Sequence, residues 1–236
     1  MKAQPPCNKK HIEKIEKDFT PFGVSDSLMD MFWRLYEKFG PQYWWPGQTP
    51  FEIAIGAILT QNTNWQNVER AISNLKGKSL LDCDALFHLP SSTLSQLIRP
   101  AGYYNIKAKR LKSFVTFLRE RFNGDMERMK EERTHELRKM LLNVHGIGPE
   151  TADSILLYAL SKKVFVVDAY TIRIFSRHEL IDPSDYSYDS VQELFMRNLP
   201  KDACLFNEYH ALIVRTGKEF CKKKRPQCSK CPLNGT

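Results

Sequence analysis

The residues best suited to chemistry lie in Val144-His145-Gly146-Ile147-Gly148-Pro149-Glu150-Thr151-Ala152 and at Asp168, which closes Val164-Phe165-Val166-Val167. Gly146 and Gly148 suit a tight turn with positive φ and let a partner come close to the backbone. Pro149 suits the first position of a helix, where a missing N–H costs nothing. A helix starting there offers unpaired N–H groups and the positive end of its dipole, a ready seat for a phosphate. Asp168 places one carboxylate just before the next helical stretch, where its local reading is an N-cap.

Trp44, Trp45 and Trp65 flank the apolar stretch that begins at Phe51. Electron-rich rings attract a cation with ~0.5–2 kcal/mol per good contact, although each tryptophan taken singly reads as core. Cys221, Cys228 and Cys231 are clustered, and Lys222-Lys223-Lys224-Arg225 runs between the first two. Met1 to Lys17 is polar, without the apolar centre of a signal peptide, so an intracellular, cytoplasmic chain is expected. Its cysteines are then expected as thiols, with the cluster open to a metal reading. Cys7, Cys83 and Cys204 stand alone and read as ordinary thiols.

These groups need a frame. The 236 residues are 42% hydrophobic, ample for a core, and the formal net charge of +8 favours a polyanionic partner, nucleic acid first. Leu28, Met31, Phe32, Leu35 and Phe39 recur at helical spacing until Gly40-Pro41 stops them. Helical patterns follow near 51–60, 65–75, 91–99, 106–121, 134–143, 149–161, 169–178, 189–198 and 203–217. No long run alternates with period two, and the longest early apolar run, Ile53 to Leu59, is too short to span a bilayer. An all-α protein with no membrane segment is expected.

Gly146-Ile147-Gly148-Pro149-Glu150-Thr151-Ala152 with Val167-Asp168-Ala169-Tyr170-Thr171-Ile172-Arg173 resembles the helix-hairpin-helix DNA glycosylases of the endonuclease III superfamily. Leu59-Thr60-Gln61-Asn62-Thr63, Gly102-Tyr103-Tyr104-Asn105-Ile106-Lys107-Ala108 and the three clustered cysteines extend the match in family order. The resemblance implies two helical domains with a helix-hairpin-helix motif and a C-terminal cysteine loop of iron–sulfur type. Residues 48–160 would form a six-helix domain, and 25–47 plus 161–236 a second one, after a mobile segment 1–24. It places the substrate cleft between them.

The resemblance also implies roles. Cutting a base from deoxyribose builds oxocarbenium character at the sugar. Asp168, at the family's catalytic position, would stabilise that charge and activate the attacking water. Gln61 would fill the gap left by a flipped nucleotide. The backbone of Gly146 and Gly148 would hold phosphate, helped by Lys107, Lys109 and Arg110. Bifunctional members carry a lysine where this chain has Glu150, and a carboxylate forms no Schiff base. Trp-Trp-Pro at 44–46 and Trp65 resemble the endonuclease III-type 3-methyladenine DNA glycosylases, which implies a base pocket of Trp44, Trp45, Trp65 and Glu150, with Lys218 facing it.

Cys221, Cys228 and Cys231 have the family's spacing for a [4Fe–4S] cluster, but its fourth cysteine would stand one place beyond Thr236. Two readings stay open: a cluster completed outside this sequence, or a loop with three ligands and a labile cluster, zinc or no metal. The expected function is a monofunctional, monomeric DNA glycosylase of base-excision repair acting on double-stranded DNA with an alkylated purine. The alternatives are an endonuclease III-like glycosylase/lyase for oxidised pyrimidines, a mismatch glycosylase, or a DNA-binding protein that has lost catalysis.

Overall fold

A computed structural model describes residues 9–17, 19 and 23–235. Among the described residues the chain is all-helical, as expected, and forms no strand. The helices are α1 (Lys9–Lys17), α2 (Val24–Phe39), α3 (Pro50–Leu59), α4 (Trp65–Lys76), α5 (Cys83–His88), α6 (Ser91–Leu97), α7 (Tyr104–Phe122), α8 (Met126–Glu131), α9 (Thr134–Leu142), α10 (Pro149–Ser154), α11 (Ala169–Arg177), α12 (Tyr188–Asn198) and α13 (Ala203–Glu219). Periodicity missed α1, α5 and α8. Each is a short helix, and the last two span six residues, too few for a hydrophobic period to register. No described helix is long and apolar enough to cross a membrane.

The chain divides into two compact units, one of Pro46–Lys162 and one of Lys163 onward with the described residues up to Trp45. In the first, α3 is the central helix. Thr49 caps it by accepting the Glu52 N–H at 3.1 Å, Pro50 opens it, and Ile53 to Leu59 are all buried. Apolar residues on every side are what a helix needs when neighbours surround it. The buried Glu52 carboxylate is neutralised by Lys76 Nζ at 2.8 Å. Nineteen-residue α7 packs beside α3 and ends where Asn123 and Gly124 turn left-handed, the Gly124 N–H returning to the Leu118 carbonyl. The helix begun by α10 continues as a π-helical turn, Ile155–Ala159, whose buried side chains lie against α3.

Lys107, expected as a phosphate contact, is instead 1% exposed. Its ammonium donates to the carbonyls of Leu59 at 2.9 Å and Ala101 at 2.6 Å, satisfying the end of α3 and the turn before α7. From there it cannot reach a surface ligand.

In the second unit, α2, α11, α12 and α13 enclose an aromatic core. Phe165 and Phe195 stack at 4.1 Å, Phe175 meets Phe195 edge-on at 4.8 Å, and the buried Tyr209 hydroxyl donates to the Leu28 carbonyl at 2.7 Å. Buried Ile12 of α1 adds to this unit. Cys204, at the start of α13, is disulfide-bonded, which corrects its reading as an isolated thiol: isolation along the chain does not measure distance in the fold.

Burial, with the Arg110 charge adding to it, lowers the Lys107 pKa to about 8, below the roughly 10.4 of an unfolded lysine. The fold therefore disfavours the ammonium below about pH 8, and that penalty fades as the pH rises towards 10.4. Urea denaturation should show the stability of the wild type gaining on Lys107→Met by roughly 1–3 kcal/mol between about pH 7.5 and about pH 10. A pH-independent difference would contradict the assignment.

Candidate nucleic-acid interface and carboxylate site

In the first unit, α9 and α10 form a helical hairpin whose turn holds Gly146 and Gly148. Its base is clamped by a bidentate pair, Arg138 Nε and Nη2 donating to the fully buried Asp153 carboxylate at 2.8 and 3.1 Å. Its tip is held by α7 and the end of α3. Arg110 lies so close under Gly146 that a Cβ there would fall 2.2 Å from Arg110 Cγ. The Gln61 amide donates to the Gly146 carbonyl at 3.1 Å and to Thr151 Oγ1 at 2.8 Å, while its oxygen accepts from Arg110 Nη1. Gln61 is thus part of the clamp on the hairpin. Arg110, Arg138 and Asp153 were invisible as a set in the sequence, because each pair joins different helices.

The two glycines differ. Gly146 has φ +83°, whereas Gly148 is extended at φ −92°, and a Cβ on Gly148 would meet nothing within 4 Å. Positive φ is thus required only at Gly146, a correction to the reading of both. Among the described residues, the N–H groups of Gly146 and Gly148 have no acceptor within the chain, so both remain available to an anion. Glu150 is exposed in the first turn of α10. Trp65, at the start of α4, donates its indole N–H to Glu69 at 2.7 Å. Tyr103, missed as a site residue, is 68% exposed on left-handed backbone (φ +45°) just ahead of α7. Its signal was a bulky aromatic directly after a glycine at a helix start.

In the second unit, Val164 to Val167 form a buried extended segment, anchored where Gln192 Nε2 donates to the Phe165 carbonyl at 2.6 Å. The segment delivers Asp168 to the N-cap of α11. Asp168 Oδ1 accepts from the Tyr170 N–H (2.9 Å), the Thr171 N–H (2.8 Å) and Thr171 Oγ1 (3.0 Å). Three donors on one oxygen fix the orientation of the carboxylate. Oδ2 takes no part in the cap and lies 3.7 Å from His210 Nε2 of α13. The two helices pack closely at Gly217, where a Cβ would fall 2.1 Å from the Tyr170 ring.

The same helix holds the segment that leads into the tryptophans. Glu208 Oε1 accepts the Gln42 N–H at 2.6 Å, and Arg215 Nη1 reaches the Phe39 carbonyl and Gln42 Oε1 at 3.4 and 3.3 Å. Burial pushes the Glu208 pKa up to about 7, against the opposing Gln42 N–H. Trp44 and Trp45 meet edge-on at 5.4 Å, and the exposed Lys218 ammonium lies 5.9 Å from the Trp44 ring centroid. Trp44 Nε1 is buried without a hydrogen-bond partner.

Past α13, the cysteine loop is tied to α11. Arg173 Nε donates to the Cys221 carbonyl at 2.7 Å, and Arg177 donates to Cys221 Sγ at 3.1 Å and to the carbonyls of Lys222 and Lys223 at 2.9 and 3.2 Å. Burial raises the Cys231 pKa, and Cys221 and Cys228 are near enough to add to it. The three sulfurs do not all lie within 4.8 Å of one another, whereas thiolates round one zinc stand roughly 3.8 Å apart. Among the described residues, the trio within that limit is His11, Asp202 and Cys204, whose sulfur the disulfide removes.

The hairpin and the aspartate that caps the following helix coincide with a family-wide pattern. The HhH-GPD superfamily of base excision DNA repair proteins matches residues 55–201, and the chain belongs to it. It is a DNA glycosylase of that superfamily, with endonuclease III proteins among its more distant relatives. A Methanocaldococcus jannaschii protein, provisionally named a DNA repair glycosylase, is 47% identical over 89% of this chain and 97% of its own. The H. pylori 3-methyladenine DNA glycosylase bound to 1,N6-ethenoadenine aligns with TM-score 0.71 and 32% identity, covering 84% of this chain and 98% of that one. Endonuclease III in a non-covalent DNA complex shares the fold at TM-score 0.76 and 22% identity, over 90% of this chain and 94% of that one.

The glycine contrast is testable by thermal melting. Gly146→Ala should destabilise by roughly 1–3 kcal/mol, because it adds αL strain and displaces Arg110. Gly148→Ala should stay within about 0.5 kcal/mol of wild type. Equal losses would contradict the assignment of the turn.

Proposed function

We propose that this protein flips alkylated purines out of duplex DNA and hydrolyses their N-glycosidic bond, leaving the strand intact. The observation that carries the reading is the state of Asp168. Its Oδ1 is occupied by three donors and its Oδ2 takes no part in the cap. A carboxylate fixed on one side can present the other to a sugar that becomes oxocarbenium-like, and can orient the water that attacks it. The N–H groups of Gly146 and Gly148 would receive phosphate, and exposed Tyr103 has the surface to stack in the vacated duplex.

Trp44 and Trp45 suit the extruded base. A buried Trp44 N–H without a partner costs about 1–3 kcal/mol, and an acceptor on an incoming base would relieve it. Lys218 sits at the outer edge of cation–π reach from Trp44, so a cationic methylated purine would displace it from that ring. The likeness to a 3-methyladenine glycosylase supports the choice of lesion. Methylation at N3 already weakens the glycosidic bond, so one carboxylate is adequate assistance. Trp65 and Glu150 remain proposed base contacts on the sequence resemblance alone. Glu150 stands where a lyase would need its amine, which supports base removal without strand cleavage.

Cys221, Cys228 and Cys231 would supply three thiolates to a [4Fe–4S] cluster if one is held. Its contribution would be structural, pinning the basic run Lys222–Arg225 towards DNA phosphate.

Asp168→Asn should lower single-turnover base release from alkylated duplex by about 100-fold or more, while DNA affinity stays unchanged. Borohydride should trap no covalent protein–DNA adduct with the wild type. An active Asn variant would overturn the role of Asp168, and a trapped adduct would overturn the monofunctional reading.

A further inference from the structure

We propose that His210 is a positioning residue for Asp168, restraining the carboxylate so that Oδ2 is its working oxygen. The inference rests on reading Asp168 as the catalytic carboxylate. The cap alone leaves the carboxylate one freedom, a swing of Oδ2 about the pinned Oδ1. His210 is 5% exposed, and its Nε2 stands 3.7 Å from Oδ2. That is too long for a hydrogen bond, yet close enough for the ring edge to limit the swing.

The ring cannot easily move away. It sits midway along seventeen-residue α13, flanked by the buried Tyr209 and Ala211. The close approach of α11 and α13 at Gly217 fixes the distance between the helix that Asp168 caps and the helix that carries His210. Burial also pushes the His210 pKa below its usual range, against the opposing pull of Asp168. A neutral ring leaves the charge of Asp168 whole, where an imidazolium at the same place would cancel much of what a developing sugar cation needs.

The test uses the full chain with His210→Ala, His210→Leu and His210→Gln, measuring single-turnover base release from alkylated duplex, DNA affinity and melting temperature. His210→Leu, which keeps the bulk, should hold most of the rate, whereas His210→Ala, which removes it, should slow release about tenfold or more while DNA affinity stays within about twofold, the split expected of a group felt only in the transition state. His210→Gln, whose side chain keeps bulk at similar reach, should also hold most of the rate. If His210→Ala does not fold, His210→Asn, one methylene shorter than Gln, should be slower than Gln. A wild-type rate in folded His210→Ala, or in His210→Asn where it stands in for it, would overturn the proposal, as would rate losses matched by weaker DNA binding. Asp168→Asn keeps the two levels apart. If it still releases base, the reading of Asp168 fails. If it is silent while His210→Ala runs at full rate, only the positioning role fails.

Discussion

The N-cap that Asp168 makes on α11 is the constraint on which the proposed chemistry depends. A helix start has orphan N–H groups that must find acceptors. Here one carboxylate oxygen takes two of them and a hydroxyl besides. The same bonds that start the helix hold the carboxylate at a fixed angle. The cap uses Oδ1 and leaves Oδ2 outside it, so the proposed catalytic role and the cap are compatible.

Helix ends do comparable work elsewhere. Lys107 closes the carbonyl end of α3 from inside the core, and Thr49 caps its other end. The hairpin is held at its base by Arg138–Asp153 and at its tip by Arg110 and Gln61, so its unpaired N–H groups are presented by a fixed frame. Gln61 is drawn into that frame in the absence of DNA; any role in filling a vacated stack would require it to exchange those bonds for others. In the second unit, α13 carries His210 beside Asp168 and Glu208, Arg215 and Lys218 beside the segment bearing Trp44. One rigid helix therefore references both the carboxylate and the indoles.

Much of this was legible in the sequence because it is local. Gly-Ile-Gly-Pro at 146–149 announces a turn into a helix, and Asp168 just before a helical stretch announces a cap. Long amphipathic runs announced α2, α7 and α13. What was not legible depends on partners distant along the chain. Lys107 reads as one more surface charge on a basic helix, and only the packing of α3 against α7 buries it. Gly148 reads like Gly146, and only the traced backbone separates their φ values. Arg110, His210 and Glu208 carry no spacing signal, since each acts on an element that another part of the sequence supplies. The cysteine spacing suggested a metal loop, but not that Arg173 and Arg177 already tie it to α11.

The most direct test of the account is to incubate the protein with methylated duplex DNA, identify the released bases by chromatography, and score the strand with and without alkali. The account predicts free 3-methyladenine and nicks that appear only after alkali. No release from that DNA, with alkali-independent nicking of duplex carrying oxidised pyrimidines, would contradict it.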